Sequence, residues 1–310
     1  MGNQIKKKKI SRIQLKENLQ MLLMVAPAFL AVLIFHYLPM PGIIVAFKDF
    51  NPNKGIMASE WVGLKNFEFF FQSSDAARVI GNTVMYSAIF LIVDLVAAVG
   101  LALAFYYLRC AKAAKFYNTV VIVPKFMSMV IIAFIAYGLL SPSYGIVNQI
   151  IEFFGGEGIQ WYMEPKYWPF ILVFVHVWQV VGMNSVLYYA TLMGMDETLL
   201  EAAKIDGANL RQQIWNVIIP HLVPIMIITT ILAIGNLFSG DFGLFYQVPK
   251  DQGILYPATD IINTYTYRAL LGGSMAKSAA VGLFQSVVGC VLVVITNAIV
   301  KKISPENSMF

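Results

Sequence analysis

The twenty residues EAAKIDGANLRQQIWNVIIP, Glu201 to Pro220, decide how the chain is read. They mix charged, amide and small side chains into two helix-like pieces that meet at Gly207, and they stand between two segments apolar enough to cross a membrane. Asp196 is placed to cap a first short helix, whose Leu199, Leu200, Ala202 and Ala203 give it an apolar, small-residue surface beside Glu201 and Lys204. Gly207 ends that helix, because glycine enters the left-handed conformation of a sharp turn without penalty. Asn209 is placed to cap the second helix, with Leu210, Ile214 and Val217 on one face and Arg211, Gln212, Gln213 and Asn216 elsewhere, and Pro220 is expected to stop it where the next span starts. On chemistry alone, the stretch reads equally well as a docking element or as a solvated loop packed on its own bundle.

Composition explains the flanks. Of 310 residues, 58% are hydrophobic and only 13% charged, the balance of an integral membrane protein rather than a soluble domain. The net charge of +5 does not indicate nucleic acid, because Lys and Arg gather at Lys6 to Arg12, at Arg109 to Lys115 and at Lys301 and Lys302, each beside an apolar run. Cys110 and Cys290 form no disulfide framework and are read as packing residues. About 20 apolar residues in helical form cross the hydrocarbon layer. Stretches of this kind run approximately from Met21 to Phe47, Gly81 to Leu108, Tyr117 to Leu140, Tyr167 to Met193, His221 to Phe238 and Lys277 to Val300. The first is too long for a signal-peptide core and is read as an uncleaved span.

Basic residues at span ends set the orientation. The N-terminus, the 109–115 loop and the C-terminal lysines are basic, whereas the 142–166 loop carries Glu152, Glu157 and Glu164 against Lys166. Both termini and the 194–220 loop are therefore expected in the cytoplasm of a cell membrane. The layout is a basic segment 1–20, a membrane-spanning region 21–300 with the polar loop at about 195–220, and a tail 301–310.

The order Glu201-Ala202-Ala203, three residues, Gly207, nine residues, then Val217-Ile218-Ile219-Pro220 resembles the EAA loop of binding-protein-dependent ABC importer permeases. Val217 stands for the pattern's Ile, and Ile219 for its Leu. WQVVGMNSVLYYATLMGM at 178–195 and WVGLKNF at Trp61 to Phe67 look like the sugar-permease branch, and the resemblance covers roughly residues 61–300. It implies an all-α type I ABC importer permease fold with six transmembrane helices and cytoplasmic coupling helices. It also implies that Glu201, Ala202, Ala203, Asp206, Gly207 and Pro220 couple to an ATPase. The implied partners are a second homologous permease, cytoplasmic ATPase subunits, an extracytoplasmic substrate-binding protein and membrane lipid, with ATP and Mg on the ATPase and no cofactor on this chain. The implied work is import of oligosaccharides or glycan fragments by alternating access; a peptide or polyol permease, or a channel needing no ATPase, is the alternative.

The chain is not expected to hydrolyse ATP. GGSMAKS at Gly272 to Ser278 departs from a phosphate-binding loop, which needs glycine where Leu271 and Ala276 stand. His36, His176 and His221 lack metal-ligand spacing. Polar residues inside spans are costly unless they face a cavity or a partner. His176, Trp178, Gln179 and Asn184 in the fourth span, and Asn236, Phe238 and Asp241 at the end of the fifth, offer the amides, carboxylate and aromatic faces a sugar needs, and the resemblance places these spans along a transport path. Hydrogen bonding to a partner permease is the other reading of each. Asp94 reads as a satisfied structural or interface carboxylate, Lys125 as a snorkelling lysine, and Trp161, Tyr162, Tyr167 and Trp168 as an interfacial belt.

Overall fold

The computed structural model describes residues 12–108 and 110–303. The run Lys6 to Lys9, Arg109 and the tail after 303 lie outside the described residues. In chain order the helices are α1 (Arg12–Val32), α2 (Gly55–Ala58), α3 (Lys65–Phe71), α4 (Ser74–Tyr106), α5 (Ala111–Ile122) and α6 (Met129–Leu140). They continue with α7 (Ile146–Phe153), α8 (Trp168–Met193), α9 (Glu197–Ile205), α10 (Leu210–Gln213) and α11 (Ile219–Gly235). The last four are α12 (Phe242–Gln247), α13 (Tyr256–Thr259), α14 (Ile262–Leu271) and α15 (Met275–Ile303). Two short strands, β1 (Lys48–Asp49) and β2 (Glu60–Trp61), pair antiparallel with Lys48 opposite Trp61.

Five helical stretches are long and apolar enough to cross a membrane: Asn18–Phe47, Ser74–Tyr106, Pro165–Met193, Leu210–Gly235 and Met275–Lys302. The sixth is a broken one. The span expected from Tyr117 to Leu140 is two helices, α5 and α6, meeting at 99°. The cause is local: Pro124 has no N–H for the ladder and its ring crowds the preceding turn, so α5 tightens into a 3₁₀ turn over Val123–Phe126. Ser128 then takes an extended conformation and caps α6, its side chain accepting from the Ile131 N–H at 3.4 Å.

The fifth span departs from expectation in the opposite sense. Pro220 does not stop the helix, and helix continues from Leu210 to Gly235 through a π turn at Ile214–Ile218. A proline ring collides with the carbonyl four residues back in a regular helix; the wider π turn ahead of Pro220 relieves that crowding, and its missing N–H falls in the first turn of α11. The span ends at Gly235, so Asn236, Phe238 and Asp241 lie in the turn beyond it.

The bundle centres on α4 against α8. Ala98, Val99 and Ala102 of α4 meet Tyr188 and Leu192 of α8, joined by Ile218 and Leu222. Small residues let helix backbones approach where no water drives association. Gly182 does this for α5: a Cβ there would lie 2.0 Å from the Val121 carbonyl oxygen. The described side chains of α1, by contrast, are all unburied.

At the bundle end away from α9, the loops are tied down by polar side chains. The buried Asp260 pairs with Arg268 through Oδ1 and with Arg78 of α4 through Oδ2 at 3.3 Å, and it accepts from Thr264 Oγ1 at 2.7 Å. Arg268 also reaches Asp251 at 3.1 Å and lies over the Tyr256 ring. Asn82 Nδ2 donates to the Asp260 carbonyl at 2.9 Å and Tyr86 Oη to that of Ala258 at 2.6 Å, fastening the 239–274 segment to α4. Trp168 and Tyr162 are buried in the core rather than forming an interfacial belt. Their polar ends are satisfied inside, Trp168 Nε1 by the Trp161 carbonyl at 2.7 Å and Tyr162 Oη by that of Val248 at 3.3 Å. Cys110 and Cys290 are free and exposed, so neither packs in the bundle.

Asp260→Ala leaves two guanidinium groups facing each other without their shared carboxylate. With Arg78 still on Asp75 and Arg268 still on Asp251, it is expected to destabilise the protein by about 1–3 kcal/mol, read as a lowered unfolding midpoint in detergent.

Candidate functional site

Two features carry chemistry beyond packing, and one helix joins them. The first is the polar element at one end of the bundle. Asp196 accepts the Thr198 N–H at 3.0 Å and caps α9. That hydrogen bond holds its carboxyl below the usual carboxylate range. α9 closes with two bonds around Gly207, Gly207 N–H to Lys204 O at 3.1 Å and Ala208 N–H to Ala203 O at 2.9 Å, the Schellman pattern. Gly207 has φ +78°, and a Cβ at this position would meet nothing within 4 Å, so its constraint is the left-handed backbone rather than crowding. Asn209 and Gln212 then form a reciprocal capping box, 3.0 and 2.8 Å, at the start of α10.

The element is rigid on one side and open on the other. Met195 and Leu200 are buried with Leu192, Ile218 and Leu222, and the buried Gln213 donates to the Ala208 carbonyl at 2.8 Å. Facing away, Glu201, Ala202, Asp206 and Gly207 are exposed and Ala203 is half-buried. Ile205 is 86% exposed and Trp215 63%, with Leu199 and Leu210 also out. Large apolar side chains rimmed by Glu201, Lys204 and Arg211 are the make-up of an interaction surface.

The second feature is a cavity of about 360 Å³ between α4, α8, α11 and the turn leading into α12. Of the seven pathway residues expected from sequence, His176, Asn184, Asn236 and Asp241 line it. The other three do not. Trp178 is exposed on another face of α8, Gln179 is buried one turn before Gly182, and Phe238 belongs to an apolar cluster with Phe70, Ile262 and Val281.

α4 supplies the wall that sequence reading passed over. Tyr86, Phe90 and Asp94, four residues apart, all face the cavity. Asp94 is not the fully satisfied carboxylate expected. Its Oδ2 is 3.0 Å from His176 Nε2, while its Oδ1 and His176 Nδ1 are buried without a partner among the described residues. With the proton on Nε2, the imidazole donates to the carboxylate and leaves Nδ1 as an acceptor. The Phe90 ring stacks on the imidazole at 3.7 Å between centroids and 7° between planes. The i, i+4, i+8 repeat of Tyr86, Phe90 and Asp94 was the available signal. Around the rim, Tyr188 Oη bonds Thr229 Oγ1 at 2.8 Å, and Asp241 accepts the Leu244 N–H at 3.0 Å to cap α12.

The mixture of hydroxyl, amide, carboxylate and aromatic groups suits a polyhydroxylated solute. Among the described residues no three His, Cys, Asp or Glu side chains converge as metal ligands. Lys277, in the stretch compared with a phosphate loop, places Nζ 3.3 Å over the Phe69 ring.

A bundle of membrane-crossing helices with an internal polar cavity and a protruding helical pair defines a transport permease. The chain belongs to the family described as "Binding-protein-dependent transport system inner membrane component", whose model matches residues 96–305. It is 34% identical over 305 residues to the polygalacturonan/rhamnogalacturonan transport system permease protein YteP of Bacillus subtilis (strain 168), covering 97% of this chain and 94% of the relative. Protein LplB of the same strain is 33% identical, covering 94% and 92%. Among solved structures, a bacterial ABC transporter involved in the import of the acidic polysaccharide alginate superposes with a TM-score of 0.85 at 30% identity, covering 93% of this chain and 97% of that one. The chain is thus a transport component with the ABC importer permease fold.

The Asp94–His176 pair is expected to behave as a unit. Asp94→Leu and His176→Leu should each cost about 1–3 kcal/mol by stranding a buried partner. The double variant should lose less than the sum, measured as a double-mutant cycle on unfolding midpoints in detergent.

Proposed function

We propose that this chain is one of two homologous permeases in an importer of oligosaccharides or glycan fragments, working with cytoplasmic ATPase subunits that bind ATP and Mg and with an extracytoplasmic binding protein. The observation that carries the reading is mechanical. The helix that begins at Leu210 in the exposed polar element continues to Gly235 and forms the cavity wall through Thr229, Thr230 and Ala233. A push on α9 and α10 is therefore carried to the lining of the cavity along one unbroken helix. Ile205, Leu210 and Trp215 are the apolar contacts for the ATPase, and Glu201 is a charged one.

Orientation follows the basic residues: Lys112, Lys115, Lys301 and Lys302 lie on the cytoplasmic side with both termini, and the acidic 142–166 loop lies outside. The loaded binding protein docks at the outer loops, closure of the ATPases on ATP turns the coupling helices, and the cavity opens outward before hydrolysis resets it. The cavity's hydroxyl, amide and aromatic lining supports a sugar as cargo, as do the saccharides in the names of the relatives.

Gly207→Val and Glu201→Lys test the coupling. Gly207→Val opposes the left-handed φ at a cost of about 1–2 kcal/mol, and Gly207→Ala bears the lower end of that strain even though space is free. Gly207→Val and Glu201→Lys should leave membrane insertion and the binding protein's sugar affinity intact, while reducing co-purified ATPase or uncoupling hydrolysis from labelled-sugar uptake. Normal uptake in both would return the element to an ordinary solvated loop.

A further inference from the structure

Two hydrogen-bond acceptors in the cavity wall are unused. Asp94 lies well inside the 33-residue α4 and His176 well inside α8, so both stand in spans that are otherwise apolar. Their contact at 3.0 Å occupies only one atom of each. Asp94 Oδ1 and His176 Nδ1 are buried and bond to nothing among the described residues. Buried polar atoms are nearly always paired, and an ionisable residue inside a span marks a substrate path by default.

The lining limits what can pair with them. With the proton on Nε2, both free atoms accept, so the complementary group is a donor. Asn184, Asn236 and Thr230 elsewhere on the wall either donate or accept, and they discriminate little between the two. The carboxylates of the lining are Asp94 and Asp241, and no Lys or Arg stands among the lining residues. In a low-dielectric cavity a cargo carboxylate would set acceptor against acceptor and like charge against like charge. A hydroxyl or an ammonium donates instead. The volume, about 360 Å³, is in the range of small-molecule sites.

We propose that Asp94, oriented by His176, reads the charge of the cargo: it accepts from the hydroxyl or amine groups of neutral and amine-bearing saccharides and disfavours uronates. This rests on the saccharide-import reading and adds a charge class to it. The expected preference is opposite to the acidic cargo of the solved neighbour. Asp94→Asn is the informative change, because the amide oxygen still accepts from His176 Nε2 while the charge is gone.

The test compares one labelled trisaccharide in three forms, trigalacturonate as the free acid, as the methyl ester and as the aminoethyl amide. Binding is measured by equilibrium dialysis on the complete membrane complex in lipid nanodiscs, and uptake in cells that carry the importer with its binding protein. A dissociation constant does not depend on how much complex is intact, so loss of folded protein does not imitate a change of preference. Wild type is expected to bind the ester and the amide about tenfold more tightly than the acid, and Asp94→Asn to shrink the preference for amide over acid about tenfold, the worth of one charge-assisted contact. Asp94→Glu, which keeps the charge, is expected to keep the preference. Acid bound as tightly as ester by wild type, or a preference that survives Asp94→Asn, overturns the proposal and leaves saccharide import standing. So does binding of none of the three by a complex whose cells take up any of them. Cells that take up none of the three overturn it together with the saccharide reading.

Discussion

Inside the hydrocarbon layer a backbone N–H or C=O without a partner costs several kcal/mol, and the rest of this structure is arranged around that constraint. It forces helix, and it forces each departure from helix to be compensated. At Pro220 the compensation is a π turn that keeps the chain helical through two prolines, Pro220 and Pro224. At Pro124 the helix is given up altogether, and Ser128 restarts it at 99°. The same constraint acts on side chains. Asp94 and His176 are tolerable between α4 and α8 because they face each other, with Phe90 covering the imidazole.

These compensations leave the molecule with one end clamped by polar contacts and the other presenting an open surface. At the clamped end, Asp260 is shared by two arginines, and hydrogen bonds from Asn82 and Tyr86 clamp the 239–274 segment to α4. At the other end, α9 is held by a few buried side chains, chiefly Leu200 and Met195, and presents the rest of its surface outward. The continuous helix from Leu210 to Gly235 spans the two regimes. Continuous backbone hydrogen bonding along that helix links the open end to the clamped one.

Much of this was legible in the chain as written. Runs of apolar residues gave the spans, since a lipid-facing helix must be apolar along its whole length. Asp196, Gly207 and Asn209 announced their turns because capping is a local interaction between a side chain and a backbone group two or three residues away. Four of the seven residues expected along a path share one cavity, since a polar residue in an apolar span has few places to go. Trp178, Gln179 and Phe238 lie off that wall because polarity or aromaticity says that a side chain needs a partner but not on which side of the helix the partner stands.

What the sequence by itself determined, then, is whatever depends on neighbours along the chain: helical spans, caps, turn glycines and the spacing of the polar element. What only the tertiary structure decided depends on neighbours across the bundle. Asp94 finding His176, Trp168 turning inward and the close seating of α5 on Gly182 each follow from how two helices pack. The physical reason is range. Capping and hydrophobic length are satisfied within a few residues, whereas pairing a buried charge or seating a broken span requires groups brought together from opposite parts of the chain.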